Sequence, residues 1–321
     1  MTFNRLSFGV ATTTPNITLY KKKQIIAMKS SHAKIYPDMT QFQSNRLSDS
    51  LFAQFSNLIQ HHTGIKMTPS KRTSIEGKLR KRARILDFQS IEEYANMVFE
   101  RGGLDSELEV IVDLATTNKT DFFREPTHFD ILEKTLVPAL LAARTTRVTP
   151  RLKIWSAASS NGAEAFTIAI VLAELAAYRR HFEFSVLGTD ISSEMISEAR
   201  TAIYPAGMID PVPEALQRKY FMRGRDTNSS PKVRVTPELR NKVHFSKENL
   251  ISKSLSVDKD IDVIFLRNVL IYFDPPTQKT VVRRLAEHLR PSGYLILGHT
   301  EAAIGNDMGF EQVGTGVFCV K

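Results

Sequence analysis

Short apolar runs alternate with helix-like stretches from residue 151 to the end of the chain, and this alternation limits the fold more than any other feature of the sequence. Repeated alternation of strands and helices is typical of a parallel sheet that carries helices on both faces. The predicted strands are 153–158, 183–189, 261–267, 294–298 and 316–320, and the predicted helices are 163–180, 192–202 and 277–289.

Residues 208–249 interrupt this alternation. The stretch contains an apolar run at 220–222, a polar turn at 226–230 and a run at 232–235 in which charged and apolar residues alternate. A period of two indicates strands, so we predict a small β-rich insertion at about 216–245. We expect it to dock a protein partner rather than to form part of the core.

The region before the alternating part has a helical pattern of its own. Apolar residues recur at spacings of three and four from Leu47 to Ile59, and Gly64 ends that run. Ser90 and Glu93 form the pattern of a capping box at the start of a later helix. We therefore predict a small all-α domain of four helices at 46–115.

The second helix of this domain, at about 70–86, is densely basic on one face. Its predicted buried side consists of Ile75, Leu79 and Ile85. Its basic residues are Lys71, Arg72, Lys78, Arg80, Lys81, Arg82 and Arg84. A flexible extension is predicted before the domain, at 1–45, and a linker that also forms a pocket wall after it, at 116–150.

Net charge and cysteine content limit which binding partners and which metal or disulfide sites the chain can have. The net charge is +9, which suits an acidic partner such as nucleic acid, anionic lipid or an acidic protein surface, or serves solubility alone. The single cysteine, Cys319, rules out an intramolecular disulfide and a cysteine-based metal site, so no metal is predicted. Because no apolar run is long enough to span a bilayer and no secretory signal is recognisable, we expect a cytoplasmic protein.

Two predicted strand ends carry candidate ligand-binding residues. The loop 156–164 contains small residues and only one glycine, so it lacks the glycine array of a dinucleotide site and favours a cofactor without phosphates. Asp190 ends the next strand, where a carboxylate can accept hydrogen bonds from ribose hydroxyls. An ordinary tight turn and a helix cap are the alternative interpretations of these two features.

Two further stretches lack a periodic pattern and lie next to the predicted sheet. Residues 116–125 combine polar side chains with two phenylalanines, which suits a pocket wall or an interdomain linker. Residues 267–274 place Arg267, Asn268 and Tyr272 after a buried strand. The run 274–277 superficially matches a motif of nucleic-acid amino-methyltransferases, but it lies too far from the strand and lacks the aromatic residue.

The blocks 116–129, 155–164, 267–274 and 298–301 together resemble the CheR family of chemotaxis receptor methyltransferases, from about residue 47 to the C-terminus. The resemblance implies a Rossmann-like class I methyltransferase domain at 151–321, interrupted by a small β-subdomain. It implies S-adenosylmethionine (SAM) as cofactor and S-adenosylhomocysteine as product. The implied cofactor contacts are Asn118, Thr120, Arg124, Glu164, Asp190, Asn249, Leu250, Arg267 and Asn268. The family usually has G-E-E-P-Y where this chain has residues 162–166, G-A-E-A-F, so Glu164 is kept and its neighbours differ.

The resemblance also implies the reaction. The family forms glutamyl methyl esters on the cytoplasmic methylation helices of chemotaxis receptors, and in some members the β-subdomain binds a receptor-tail peptide. A glutamate carboxylate is already ionised at neutral pH, so no general base is required. Arg124 and Tyr272 are the predicted catalytic residues, which orient the reacting groups. A methyltransferase acting on RNA and a non-catalytic cofactor-binding module are the rival hypotheses, although no nucleic-acid partner is expected.

Overall fold

We describe a computed structural model of the chain. The structure describes residues 46–144, 149–178, 182–224 and 231–320. The extension predicted at 1–45 and the polar turn predicted at 226–230 lie outside the described residues.

Four helices form the N-terminal part of the described chain. Further helices lie before and between the strands of the part that follows. In the first part they are α1 (Asp49–Thr63), α2 (Arg72–Ile85), α3 (Ile91–Glu100) and α4 (Leu104–Ala115). The later ones are α5 (Thr127–Ile131), a π-helical turn (Leu132–Leu136), α6 (Val137–Ala142), α7 (Ala163–Tyr178), α8 (Ser193–Thr201), α9 (Glu214–Tyr220), α10 (Pro237–Arg240), α11 (Pro275–Ala286) and α12 (Ala302–Asp307). Single 3-10 turns lie at Pro69–Lys71, Ala206–Ile209, Leu270–Tyr272 and His299–Glu301.

Serine side chains cap the N-termini of several of these helices, including the one predicted at Ser90. The hydroxyl of Ser90 accepts a hydrogen bond from the N–H of Glu93 at 3.0 Å, and the hydroxyl of Ser192 caps α8. The carboxylate of Glu93 accepts from the N–H of Gln89 rather than from that of Ser90. The carboxylate of Glu93 therefore binds the N–H one residue before the one that a standard capping box uses.

The main sheet has seven strands in the order β6-β2-β1-β7-β8-β10-β9. The strands of both sheets are β1 (Arg151–Ala157), β2 (Glu183–Asp190), β3 (Ile203–Pro205), β4 (Phe221–Arg223), β5 (Lys232–Val235), β6 (Val243–Lys247), β7 (Ile261–Leu266), β8 (Leu289–Leu297), β9 (Glu311–Gly314) and β10 (Val317–Val320). The pairs among β6, β2, β1, β7 and β8 are parallel.

The last two strands correct the expectation of a wholly parallel sheet. β10 pairs antiparallel with β8, and β9 pairs antiparallel with β10. Only two residues connect β9 to β10, and Gly316 there has a φ of 70°. A parallel pair would need a crossover of a dozen or more residues, so this connection permits only a hairpin.

A second sheet, in the order β3-β5-β4, forms the small β-rich element. It begins at Ile203, earlier than the insertion expected at about 216–245, because β3 is too short to show alternation. Val243–Lys247 pairs with β2 in the main sheet and therefore does not belong to the small one. The sequence pattern found the element and misplaced both of its ends.

The helical N-terminal part shares an apolar cluster with the main sheet. Phe55, Leu79 and Tyr94 share one apolar cluster with Trp155 and Leu266 of the central strands, and all five side chains are buried. Burial of such large side chains from two segments of the chain stabilises their association, since each contributes about 1.5–3 kcal/mol when fully buried. The end of α1 lies next to the carboxyl ends of the strands, where Thr63 and Ile65 line the same cavity as Asp190 and Arg267.

Helix α2 differs from its predicted form in two ways. Ile85, predicted to be buried, is 63% exposed, and Ala83 is fully buried in its place. Some of the basic face is also used inside the protein. Lys78 donates to the carbonyl oxygens of Leu114 and Thr116, at 2.8 and 2.9 Å.

Two arginines on this helix pair with carboxylates and connect it to neighbouring helices. Arg72 pairs with Asp49 and with Glu76, and Arg82 donates two hydrogen bonds to Glu107 at 2.7 and 2.8 Å. The basic face of α2 is therefore smaller than the sequence suggests. No helix among the described residues has the length and apolar character needed to cross a membrane.

Candidate active site

One cavity of about 870 Å³, open to solvent, lies at the carboxyl ends of β1, β2 and β7. The segment after α4 and the end of α1 complete its wall. Every residue that the sequence analysis assigned to the site lines this cavity. These residues are Asn118, Thr120, Arg124, Glu164, Asp190, Asn249, Leu250, Arg267, Asn268 and Tyr272.

Asp190 closes the cavity at the end of β2. Its two carboxylate oxygens accept hydrogen bonds from the backbone N–H groups of Ser160 and Ser192, at 2.8 and 2.9 Å. Burial raises the pKa of Asp190, and these backbone N–H groups act against that rise by stabilising the ionised form. A carboxylate has about four lone-pair positions, so Asp190 retains a site that can accept a hydrogen bond from a ligand hydroxyl.

Glu164 lies in the first turn of α7 and forms an ion pair with Arg267 at the end of β7. One carboxylate oxygen accepts from the Nε of Arg267 at 2.7 Å, and the other accepts from the hydroxyl of Ser156 at 2.7 Å. The Nη2 of Arg267 donates to the carbonyl oxygen of Arg124 at 2.7 Å. The pair therefore connects β1, α7, β7 and the segment that carries Arg124.

The loop after β7 is held by a carboxylate that the sequence analysis quoted only as part of a family block. Glu301 is 1% exposed and accepts four hydrogen bonds, from the backbone N–H groups of Gly298, Asn268, Leu270 and Ile271. Burial raises the pKa of Glu301, whereas the four N–H groups favour its ionised form. An acidic residue four positions after an apolar strand was the only sequence signal for this role.

The backbone around Arg124 is strained. Phe123 and Glu125, on either side of it, have φ values of 54° and 55°, in the left-handed region that residues with a Cβ rarely adopt. Asn268 has a φ of 58°. Such conformations persist where the surroundings impose them and often occur at functional sites. The guanidinium of Arg124 donates to the carbonyl oxygen of Lys119 at 3.0 Å.

Asn249 connects the helical part of the chain to the cavity wall. Its Nδ2 donates to the carbonyl oxygen of His62 at 2.7 Å, and its Oδ1 accepts from the N–H of Ile251 at 3.2 Å. Leu250 beside it is buried and gives the wall an apolar surface. The side chain of Asn249 thus holds this wall in place through its hydrogen bonds to the backbone of His62 and Ile251.

Tyr272 lies at the end of a 3-10 turn, under a basic residue of the helical domain. The ammonium of Lys71 is 4.5 Å from the centre of the Tyr272 ring. Burial lowers the pKa of Lys71, which stands next to this ring rather than in open solvent. The sequence placed Lys71 in the basic set of α2 and gave no sign of this contact.

One group of three possible metal ligands, Glu125, His128 and His299, lies close together within the described ranges. Both ring nitrogens of His128 already have partners, the Nη1 of Arg267 at 2.9 Å and the carbonyl oxygen of Thr315 at 3.1 Å. A guanidinium in direct contact also repels a cation. The group is therefore a hydrogen-bond network.

The chemistry of the cavity suits a cofactor that carries a ribose and both signs of charge. Carboxylates, guanidinium groups and the apolar side chains of Leu250, Val269 and Phe273 share its wall. The family model "CheR methyltransferase, SAM binding domain" matches residues 118–319, and "CheR methyltransferase, all-alpha domain" matches residues 50–116. The chain belongs to the CheR methyltransferase family. It is a methyltransferase that uses SAM.

Relatives in this family resemble the chain over most of their length. The chemotaxis protein methyltransferase of Salmonella typhimurium is 36% identical over 86% of this chain and 91% of its own. That of Escherichia coli is 37% identical over 79% of this chain and 85% of its own, and that of Borreliella burgdorferi is 34% identical over 78% and 87%. The rival interpretation as a module without a catalytic role has no support in these matches.

Proposed function

We propose that this methyltransferase forms glutamyl methyl esters on chemotaxis receptors. The observation that carries the proposal is the environment of Arg124. Its guanidinium lines the cavity and donates to one carbonyl oxygen, and within the described ranges it forms no ion pair with a carboxylate. A planar guanidinium without an anionic partner suits an incoming carboxylate, to which it can donate two parallel hydrogen bonds.

The cofactor is assigned to the same wall. The nine proposed contacts are Asn118, Thr120, Arg124, Glu164, Asp190, Asn249, Leu250, Arg267 and Asn268. Asp190 accepts hydrogen bonds from the ribose hydroxyls, and the negative charge of Glu164 attracts the cationic part of the molecule. The shared location of these residues in one cavity supports the assignment.

Alignment and electrostatics account for the proposed catalysis. Bound SAM supplies an electrophilic methyl group on a sulfonium, and the thioether leaves as the new O–C bond forms. The substrate glutamate is ionised at neutral pH, so the protein needs no general base. Arg124 and Tyr272 orient the carboxylate, and the best cases of such alignment remove about 7–11 kcal/mol of the barrier.

Receptor recognition is assigned to two surfaces of a protein that acts in the cytoplasm. The exposed basic side chains of α2, Lys81 and Arg84 among them, face solvent and suit the acidic methylation helices of a receptor. The small sheet of β3, β4 and β5 is proposed to bind a receptor segment, such as a C-terminal tail. No nucleic-acid substrate is proposed, because no observation at the site favours one.

Radiolabelled methyl transfer to receptor-containing membranes tests the proposal. We expect label in the receptor that base treatment releases as methanol, because an ester is hydrolysed while an N-methyl group is not. Arg124→Ala should abolish most of the transfer, and Lys134→Ala, an exposed residue paired with Asp130, serves as the matched control. Label that withstands base, or label in nucleic acid, would contradict the ester assignment.

A further inference from the structure

His128 lies behind the cavity wall and takes no part in the function described so far. It is the second residue of α5 and is fully buried. Its Nδ1 is 2.9 Å from the Nη1 of Arg267, and its Nε2 is 3.1 Å from the carbonyl oxygen of Thr315. The ring of His299 lies edge-on to it, with 4.7 Å between the ring centres.

These two contacts decide the protonation state of His128. Its Nδ1 is also 3.4 Å from the Oε2 of Glu125, but the guanidinium of Arg267 is closer, at 2.9 Å, and makes the hydrogen bond. A guanidinium N–H can only donate, so Nδ1 must offer its lone pair to Arg267. A carbonyl oxygen can only accept, so Nε2 must carry the hydrogen. Burial first, and then the charge of Arg267 and the nearby His299, lower the pKa of His128 to about 4, while Glu125 acts in the opposite direction. The imidazole is therefore neutral near pH 7 and present as one tautomer.

The guanidinium that His128 contacts has other partners that form the cavity. The Nε of Arg267 donates to Glu164, and Nη2 donates to the carbonyl oxygen of Arg124. The Arg267 side chain is 2% exposed, so water does not replace a lost partner. A guanidinium is planar, and fixing one of its nitrogens fixes the direction of the other two.

We propose that His128 is a positioning residue for SAM binding, whose neutral imidazole orients Arg267 and through it Glu164 and the backbone of Arg124. This inference rests on the proposed cofactor site. A residue that only filled space would not orient Arg267. Substitutions can separate the role of hydrogen-bond acceptor from the role of filling space. The carbonyl oxygen of an asparagine lies close to where the Nδ1 of a histidine lies, and leucine offers a similar volume without an acceptor.

Calorimetry of SAM binding to the full chain compares His128→Asn, His128→Leu and the wild type. We expect His128→Leu to weaken SAM binding by about tenfold, because one N–H of the Arg267 Nη1 then lacks its acceptor. We expect His128→Asn to stay within about threefold of the wild type for the same reason. The other hydrogen bond of Nη1 is a long one, 3.5 Å, to the carbonyl oxygen of Glu125.

Wild-type affinity in His128→Leu would overturn the proposal, as would equal losses in His128→Leu and His128→Asn. If His128→Leu does not fold, the 15N spectrum of the wild-type imidazole decides, since a protonated Nδ1 near pH 7 contradicts the acceptor role. Glu164→Gln separates this inference from the cofactor site itself. Unchanged SAM affinity in Glu164→Gln removes the site, whereas a loss there with none in His128→Leu removes only the role of His128.

Discussion

Replacing Glu301 with glutamine should destabilise the loop after β7 through a countable set of hydrogen bonds. One carboxylate oxygen accepts from the backbone N–H groups of Asn268 and Gly298, at 2.7 and 3.0 Å. The other accepts from those of Leu270 and Ile271, at 2.7 and 3.3 Å. Glutamine keeps one acceptor oxygen and presents an NH2 group, itself a donor, to the other two N–H groups.

The magnitude follows from the two donors that lose their acceptor. Leaving a buried donor unsatisfied costs about 1–3 kcal/mol, so Glu301→Gln should lower the free energy of unfolding by about 2–6 kcal/mol. The side chain is almost inaccessible, at 1% exposure, which keeps water from replacing the lost acceptor. SAM affinity should fall as well, because Asn268 and Val269 of this loop line the cavity.

Urea unfolding at neutral pH measures the first effect and calorimetry the second. Glu214→Gln makes the same chemical change on α9, where the side chain is 77% exposed and pairs with Arg218, and should change stability only slightly. If Glu301→Gln unfolds within about 1 kcal/mol of the wild type, the four hydrogen bonds do not hold the loop and the reasoning is wrong.

Three more predictions concern the site and its surroundings. Asp190→Ala should weaken SAM binding by about 1.5–3 kcal/mol in calorimetry, because charge-assisted hydrogen bonds to ribose are lost, and unchanged affinity would remove Asp190 from the site. Arg124→Ala and Tyr272→Phe should each reduce turnover more than thermal stability, and wild-type turnover in a folded variant would end that residue's catalytic role. With a pKa of about 4 in the folded protein and about 6.5 in the unfolded chain, His128 gives the wild type its full stabilisation above pH 6.5. About 3 kcal/mol of that is lost as the pH falls from about 6.5 to 4, because the unfolded chain binds the proton first. Urea unfolding at several pH values should show a smaller loss in His128→Asn, and an equal loss would contradict the low pKa.

The sequence was sufficient where a local pattern determines the structure. Strand and helix periodicity predicted the central strands, and it placed Asp190 and Arg267 each at the end of a predicted strand, where ligands bind in a parallel sheet. The structure brings both to one cavity. Ser90 was recognisable as a cap because a cap depends only on the next three residues.

Contacts between distant parts of the chain were not predictable from pattern alone. Glu301 and Asn268 are 33 residues apart, and the ring of His128 contacts Arg267 across 139 residues. The helical period of α2 predicted that Ile85 is buried. Ile85 lies in the last turn of the helix and faces solvent. The sequence predicted that Lys78 and Arg82 are surface charges, although each forms hydrogen bonds with a neighbouring segment.

The end of α1 and the residues after it belong to the helical part of the chain, yet Thr63 and Ile65 form part of the cavity wall. A molecule in the cavity therefore contacts both the sheet and the segment that carries α2. A receptor bound through α2 would restrict the motion of the helical part of the chain. A molecule in the cavity, in contact with Thr63 and Ile65, would restrict the motion of the same part. Two such binding events are thermodynamically linked, and the linkage is reciprocal. The factor by which SAM changes the affinity for receptor is then the factor by which receptor changes the affinity for SAM.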